Sequence, residues 1–277
     1  YQVRDADGAS DTAFLTVTVT GANDAPVING DGLMSRQDGD GAEVLLDTGA
    51  AFVDPDRGDT LTYRVDNLPP GLMFDTATGQ ITGRLDNDAS ANAPYQVTVT
   101  ATDDNGGSLS QSFVWQIDNV VPVAGEDTAQ VQAGGATTGN VLDNDIDGAP
   151  DNDPLTVVAI NNAGDNVARE IAGSNGGTFV VRADGSYSFT AGDDFRSLSA
   201  GERLDTAISY RISDGQGGFD TATLSVGVTG VNDAPVVASP VGDQQGTDGA
   251  SVRITPAFID RDNGDVLTYT VDNLPAG

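Results

Sequence analysis

The sequence predicts an all-β chain of tandem antiparallel β-sandwiches joined end to end, and three observations carry that reading. Apolar or β-branched residues alternate with polar ones in segment after segment, and no stretch sustains the 3.6-residue period of a helix. Gly, Asp and Asn cluster between those segments, as in Asp103–Gly107 (DDNGG) and Asp214–Gly218 (DGQGG), and supply the positive φ angles that tight hairpins need. The chain also repeats itself over a long period. Tyr1–Val27 returns without a gap as Tyr210–Val236, with 16 of 27 positions identical, and Asp54–Gly71 (DPDRGDTLTYRVDNLPPG) returns as Asp260–Gly277 (DRDNGDVLTYTVDNLPAG).

Along the chain, the clearest strand signals are Ala13–Thr20 (AFLTVTVT), Tyr95–Thr102 (YQVTVTAT), Ser112–Asp118 (SFVWQID) and Ala222–Thr229 (ATLSVGVT). Shorter strands fit Leu61–Val65, Leu155–Ile160, Thr178–Arg182, Ser186–Thr190 and Ile208–Ile212. Trp115, the one tryptophan, sits at an alternating position and is expected to fill a core. Asp75 and Asp184 are expected to be turn formers only.

The repeat offsets, 209 residues for the first match and 206 for the second, are too long for a solenoid and long enough for each copy to bury its own core. Two domain types therefore alternate. The junctions are Ala22–Pro26 (ANDAP), Val231–Pro235 (VNDAP) and Ile117–Pro122 (IDNVVP), each a strand running through Asx residues into a Pro that fixes φ. The expected domains are 1–24 (the end of one type), 25–119 (a whole domain of the other), 120–233 (a whole domain of the first) and 234–277 (the start of the other). The chain is read as a piece of a longer tandem array.

Composition narrows the chemistry. There are 42 acidic residues against 12 basic ones, for a net charge of −30; 38 of the acids are Asp, and every basic residue is Arg. Solubility alone would be served by Glu on helices, whereas short Asp side chains suit turns and close oxygen ligation. Such a charge disfavours nucleic acid and anionic membrane surfaces and favours cations. With no Cys and no His, the chain has no disulfide, no thiol nucleophile, no imidazole base and no zinc site of the usual kind. No apolar run approaches the roughly 20 residues of a membrane-spanning helix.

Calcium takes six to eight oxygen ligands, and the Asp pairs are spaced to offer them. Asp54 and Asp56 are followed by Asp59, and then by Asp103 and Asp104; Asp260 and Asp262, with Asp265, repeat the pair; Asp145 and Asp147 form a third, with Asp151 and Asp153 nearby, followed by Asp214. The junctions add Asn23 and Asp24, Asp118 and Asn119, and Asn232 and Asp233. Clustered carboxylates repel one another unless a cation neutralises them, and 12 Arg cannot serve 42 acids. The Arg57-Gly58-Asp59 tripeptide becomes Asn263-Gly264-Asp265 in its second copy, so the repeat keeps Gly-Asp and not an integrin-type signal.

These residues also carry a family resemblance. FVDPDRGDTLTYRVDNLPPGLMFDTATGQITG and YQVTVTATDDNGGSLSQSFVWQIDN make residues 25–119 similar to the cadherin-like domains of the dystroglycan type. NVLDNDID, GTFVVRADGSYSF, YRISDGQGGFDTATLSV and GVNDAPV make residues 120–233 resemble the VCBS-type cadherin-like repeats of large bacterial RTX adhesins. The resemblance implies Greek-key sandwiches of the cadherin/immunoglobulin kind with calcium held at each junction. By it, the first junction would use Asn23, Asp24, Asp54, Asp56 and Asp103. The second would use Asp118, Asn119, Asp145, Asp147 and Asp214, with Asp86 or Asp88 from the preceding domain. The third would use Glu126, Asn232, Asp233, Asp260 and Asp262. Gly21 and Ala25 stand where animal cadherin linkers carry further ligands, so one or two ions per junction are expected.

The functional expectation is a calcium-rigidified extender of a secreted or cell-surface bacterial adhesin, whose partners are calcium and the neighbouring repeats. Its export signals would lie outside these residues. The alternatives are a module that binds surface polysaccharide or another cell-surface protein, including a copy of itself, and, last, part of a polysaccharide-degrading enzyme. Glycoside hydrolysis needs a carboxyl of raised pKa in a cleft, and these Asp residues sit in polar Gly-rich loops.

Overall fold

The computed structural model describes residues 1–247 and 249–272; the last five residues of the second repeat, 273–277, lie outside the described residues. The chain folds as two compact units. The first comprises Tyr1–Asp38, Glu43–Asp86 and Asn92–Ile117; the second comprises Gly39–Ala42, Asn87–Ala91 and Asp118–Gly277. The second unit therefore takes in two short segments that precede most of it in sequence.

Strands β1 (Gln2–Arg4) and β2 (Ser10–Thr12) form an exposed hairpin. They are followed by β3 (Val27–Ile28), β4 (Arg36–Gly39), β5 (Glu43–Asp47), β6 (Phe52–Val53), β7 (Thr62–Asp66), β8 (Leu72–Phe74), β9 (Gln80–Arg84), β10 (Tyr95–Thr102) and β11 (Ser108–Asp118). One sheet runs β4-β11-β10-β7, a second β5-β9-β8, and β3 pairs with β6. The period-2 pattern of β10 buries Tyr95, Val97, Val99 and Ala101, and the register Tyr95↔Trp115 and Val97↔Phe113 puts the inward residues of β11 beside them. Trp115 is fully buried, as expected, and donates its indole N–H to Asp38 (2.8 Å). Large side chains buried in this way contribute about 1.5–3 kcal/mol each.

In the second unit the strands are β12 (Pro122–Val123), β13 (Asp127–Gln132), β14 (Ala136–Asn140), β15 (Ile146–Asp147), β16 (Thr156–Ile160), β17 (Ile171–Ala172), β18 (Thr178–Val181), β19 (Ser186–Thr190), β20 (Arg203–Ser213), β21 (Phe219–Thr229), β22 (Val236–Ser239) and β23 (Ala257–Ile259). Two four-stranded sheets, β13-β21-β20-β16 and β14-β19-β18-β17, enclose Phe179, Phe189, Phe195, Ile208, Tyr210, Ile212, Leu224 and Val226. The sandwich is antiparallel with one exception: β13 runs parallel to β21. Parallel neighbours need a long crossover, here the whole domain between its first long strand and its last.

The expected strands are present with small shifts of boundary, except one. Ala13–Thr20 is exposed and forms no strand, only Ala13 bonding back to Tyr1, and Phe14 is 96% accessible, although its twin at 222–229 lies in the central strand β21. The difference is company: β21 is held on both sides by β20 and β13, whereas β1 and β2 reach only residues 2–12 and no second sheet covers them.

Candidate metal centres

The hairpin loop that joins β10 to β11 builds half of the first centre. Asp103, at the end of the apolar alternation, folds its carboxylate over the turn: Oδ1 accepts the N–H groups of Asn105 (2.8 Å) and Gly107 (2.8 Å). Oδ2 accepts the side-chain amide of Asn23 (3.0 Å), and this bond, with the turn amides behind it, holds the Asp103 carboxyl below the usual carboxylate range. Gly107 is required by contact, because a Cβ there would lie 2.4 Å from Asp103 Oδ2. The loop after β6 supplies the rest. Asp54 Oδ1 accepts the Asp56 N–H (2.8 Å), Asp56 Oδ2 accepts the Asp24 N–H (2.7 Å), and Asp59 Oδ2 accepts the Asn105 amide (3.1 Å). One carboxylate oxygen from each of Asp54, Asp56 and Asp59 comes within 4.8 Å of the others, and Asp54 Oδ2 is buried without a partner.

The second unit repeats the device on a different sequence. In the β20–β21 loop, Asp214 Oδ1 accepts the N–H groups of Gln216 (2.8 Å) and Gly218 (3.0 Å), while Oδ2 accepts the amide of Asn119 (2.8 Å). Asp147, Asp151 and Asp153 gather within 4.8 Å, braced by the Asp153 N–H on Asp147 Oδ2 (2.8 Å). Asp40 and Asp88 join them from the two early segments. Asp40 Oδ1 accepts the Ser90 N–H (2.7 Å), the Asn87 amide donates to the Asp151 carbonyl, and the Gln216 amide donates to Asp88.

This second cluster is electrostatically incomplete. Asp151 is 1% exposed and neither of its carboxylate oxygens has a hydrogen-bond partner; Asp40 Oδ2, Asp147 Oδ1, Asp153 Oδ2 and Asn119 Oδ1 are likewise buried and unpartnered. Burial first, and then the charges of Asp153, Asp40, Asp147 and Asp214, push the Asp151 carboxyl up to about 7. Asp153 is raised by burial and by Asp88, Asp147, Asp214 and Asp40. Every charged neighbour acting on the two is another acid. Buried polar atoms are as a rule satisfied, and five unpartnered oxygens on four mutually acting acids, Asp40, Asp147, Asp151 and Asp153, ask for a positive ligand. The donors are all hard oxygens, with neither imidazole nor thiolate, which fits calcium and not a soft transition metal.

A third cluster, also in the second unit, copies the first. Asp262 accepts the Asp233 N–H on Oδ2 (2.8 Å), and Asp260 Oδ1 accepts the Asp262 N–H (3.0 Å). Asp260, Asp262 and Asp265 share the same 4.8 Å limit, and Asp262 is 5% exposed with Oδ1 unpartnered.

Residues 119–230 match the family model described as "Bacterial cadherin-like domain", and residues 26–118 match the one described as "Putative Ig domain". The two matches are consecutive, one segment of the chain being similar to each family. Among curated proteins it is 33% identical over 122 residues to the "Calcium-binding lectin RapA2" of Rhizobium johnstonii; the match takes in 42% of this chain and half the length of that relative. Among solved structures, titin domains z1z2 in complex with telethonin are 13% identical with a TM-score of 0.40, covering 76% of this chain and all of that one. The human Desmocollin-1 ectodomain is 15% identical with a TM-score of 0.31, covering 89% of this chain and 50% of that one.

The structure brings together Asn23, Asp24, Asp54, Asp56, Asp59 and Asp103; Asp88, Asn119, Asp147 and Asp214; and Asp233, Asp260 and Asp262. Five residues expected at the junctions are placed otherwise. Asp145 turns into the sandwich, where Oδ1 accepts the Gly125 N–H (2.7 Å) and stands 3.2 Å from the Tyr210 hydroxyl, and burial raises its pKa. Asp145 precedes β15 and is held by the Gly125 N–H, whereas Asp147 lies within the strand and gathers with Asp151 and Asp153. Glu126 accepts the Thr223 N–H (3.0 Å) at the edge of β21 and not a group of the Asp233 cluster it was expected to join. Asp86 is tied back to Pro70 through its N–H (3.2 Å), and its carboxylate packs where a Cβ on Gly71 would fall. Asp118 serves through its carbonyl, which accepts the Asp40 N–H (2.9 Å), and Asn232 donates to the Asp233 carbonyl (3.1 Å). Asp40 is the acid that sequence reasoning left out, whereas Asp151 and Asp153 were candidates beside the Asp145 and Asp147 pair. Asp151 and Asp153 repeat the i, i+2 signal, while Asp40 lies in a Gly-flanked turn with none.

Proposed function

We propose that this chain is a calcium-rigidified extender segment of a large secreted or cell-surface bacterial adhesin of the RTX type, with 25–119 and 120–233 as its two whole domains. The observation that carries the reading is Asp151, whose two oxygens are buried and unpartnered amid five other acids. Asp40, Asp88, Asp147, Asp151, Asp153, Asp214 and the Asn119 side-chain carbonyl would hold calcium there. The other centres would use Asp24, Asp54, Asp56, Asp59 and Asp103, and Asp233, Asp260, Asp262 and Asp265. Calcium would supply the counter-charge these carboxylates lack. The residues themselves fix the linkers by main-chain hydrogen bonds from Asp24 and Asp233, so that binding orders the connection between domains.

Affinity of roughly 0.1–1 mM, typical of extracellular modules, would keep the chain metal-free in the cytosol and loaded outside the cell. Equilibrium dialysis of the full chain at 2 mM calcium tests the reading. It should show at least one ion lost on Asp151→Asn with Asp153→Asn; no calcium bound to the unaltered chain sinks it.

A second reading, carbohydrate binding, is favoured by the likeness to a calcium-binding lectin. A glycan array probed in calcium and in chelator distinguishes the two, since an extender gives no glycan signal in either.

A further inference from the structure

The three acidic centres are not alike in charge. Around Asp151 the segments Gly39–Ala42 and Asn87–Ala91 present two further acids, Asp40 and Asp88. Around Asp233 the corresponding contribution comes from the loop between β19 and β20, and it presents an arginine. Phe195 and Leu198 anchor that loop in the core at 0% and 7% exposure, so Arg196 between them is carried on a fixed backbone. Its Nη1 lies 3.7 Å from Asp233 Oδ1, and its Nε pairs with Asp193. The same loop grips the acidic turn directly. The Asn263 N–H donates to the Ser197 carbonyl (3.0 Å), and the Ser199 hydroxyl donates to the Asn263 carbonyl (2.8 Å). Arg261 lines the groove with Asp193, Arg196 and Ser197, adding a second guanidinium to that side.

We propose that Arg196 is a resident counter-ion of the Asp233–Asp260–Asp262–Asp265 centre, so that the tandem has two classes of joint. The centre around Asp151 depends wholly on calcium for its neutrality. Both centres are tied by direct hydrogen bonds, but only the one around Asp262 is partly neutralised by a guanidinium, and it therefore binds calcium more weakly and depends on it less. In an array of alternating domains, falling calcium would then loosen every second joint first, giving segments that bend at defined places and not uniformly. This rests on the calcium reading of the centres given above.

The test uses the full chain with calcium itself as probe. In a background where Asp54→Asn, Asp56→Asn, Asp151→Asn and Asp153→Asn silence the other two centres, calorimetric titration reports on the third. Arg196→Gln should tighten its calcium half-saturation by roughly threefold to tenfold, and Arg196→Lys, which keeps the charge, should stay within twofold of the parent. Unchanged or weaker binding in Arg196→Gln overturns the proposal. A second measurement does not depend on that variant folding. In the otherwise unaltered chain, Asp151→Asn with Asp153→Asn should remove most of the calcium-dependent rise in melting temperature of the second unit, and Asp260→Asn with Asp262→Asn should remove little. Equal losses overturn the two-class arrangement while leaving calcium binding in place; no calcium-dependent rise in the unaltered chain would instead remove the calcium reading itself.

Discussion

Replacing Asp151 with Asn should stabilise the second unit without calcium and weaken it with calcium. The Asp151 carboxyl is pushed up to about 7 from an ordinary 3.8, so keeping it ionised at pH 8 costs at most about 4 kcal/mol, from about 1.4 kcal/mol per pH unit of displacement. Relaxation of the loop and entry of water reduce this to roughly 2 kcal/mol. Asn abolishes the charge, and its amide can donate to Asp147 or Asp153, whose oxygens face it without partners. In chelator at pH 8 the variant should therefore melt roughly 4–8 °C higher, at about 2–4 °C per kcal/mol for a unit of this size. In 5 mM calcium the order should invert, because Asn offers one neutral oxygen where Asp offered a charged pair. Scanning calorimetry of both proteins in both buffers reads the two signs. A variant that is less stable in chelator as well would refute the argument, since it would show that the carboxylate is satisfied inside the protein.

Three further outcomes follow from the same geometry. Asp151, Asp153 and Asp40 all have raised carboxyl pKa values, so the stability they contribute without metal is present below pH 4 and is lost as pH rises, for Asp151 through about 7; in chelator the melting temperature should be higher at pH 5.5 than at pH 8, and in calcium the ranking should reverse as protons compete for the ligands. Gly218→Ala would place a Cβ 2.0 Å from Asp214 Oδ2 and 2.7 Å from the Pro122 ring; calcium half-saturation should rise at least tenfold while the far-ultraviolet spectrum stays that of a β-protein. Tyr210→Phe removes a buried hydroxyl that stands 2.7 Å from both the Gly125 carbonyl and Asp127 Oδ2, and denaturant melts should show a loss of roughly 1–3 kcal/mol with calcium dependence unchanged.

Much of the sandwich was legible because burial writes itself into period 2. Tyr95–Thr102 and Ser186–Thr190 were bounded to the residue, since each ends in an Asx or Gly turn that fixes where alternation stops. Ala13–Thr20 shows the limit: it has the same alternation as β21 and forms no strand, because pairing is supplied by neighbours the pattern cannot name. The parallel pairing of β13 with β21 was hidden for a related reason, as it leaves no turn signature between its strands. The metal centres divide in the same way. Asp54, Asp56 and Asp260, Asp262 were visible through repetition, and Asp103 and Asp214 through the glycines they fold over. Asp145 and Asp147 looked equivalent in sequence, yet Asp145 lies in the turn before β15 and meets Tyr210, while Asp147 lies in the strand and meets Asp151. Asp40 had no signal at all, because only the tertiary fold carries its Gly-flanked turn to the cluster.

The central claim is that calcium completes these acidic centres, and the melting temperature of the unaltered chain tests it most directly. With half-saturation near 0.1–1 mM, 5 mM calcium adds about 1–2 kcal/mol per occupied site by mass action. The transition should move up by roughly 5–15 °C between chelator and 5 mM calcium, and magnesium at the same concentration should reproduce only a small part of the shift. A melting temperature that does not change with calcium would contradict the account.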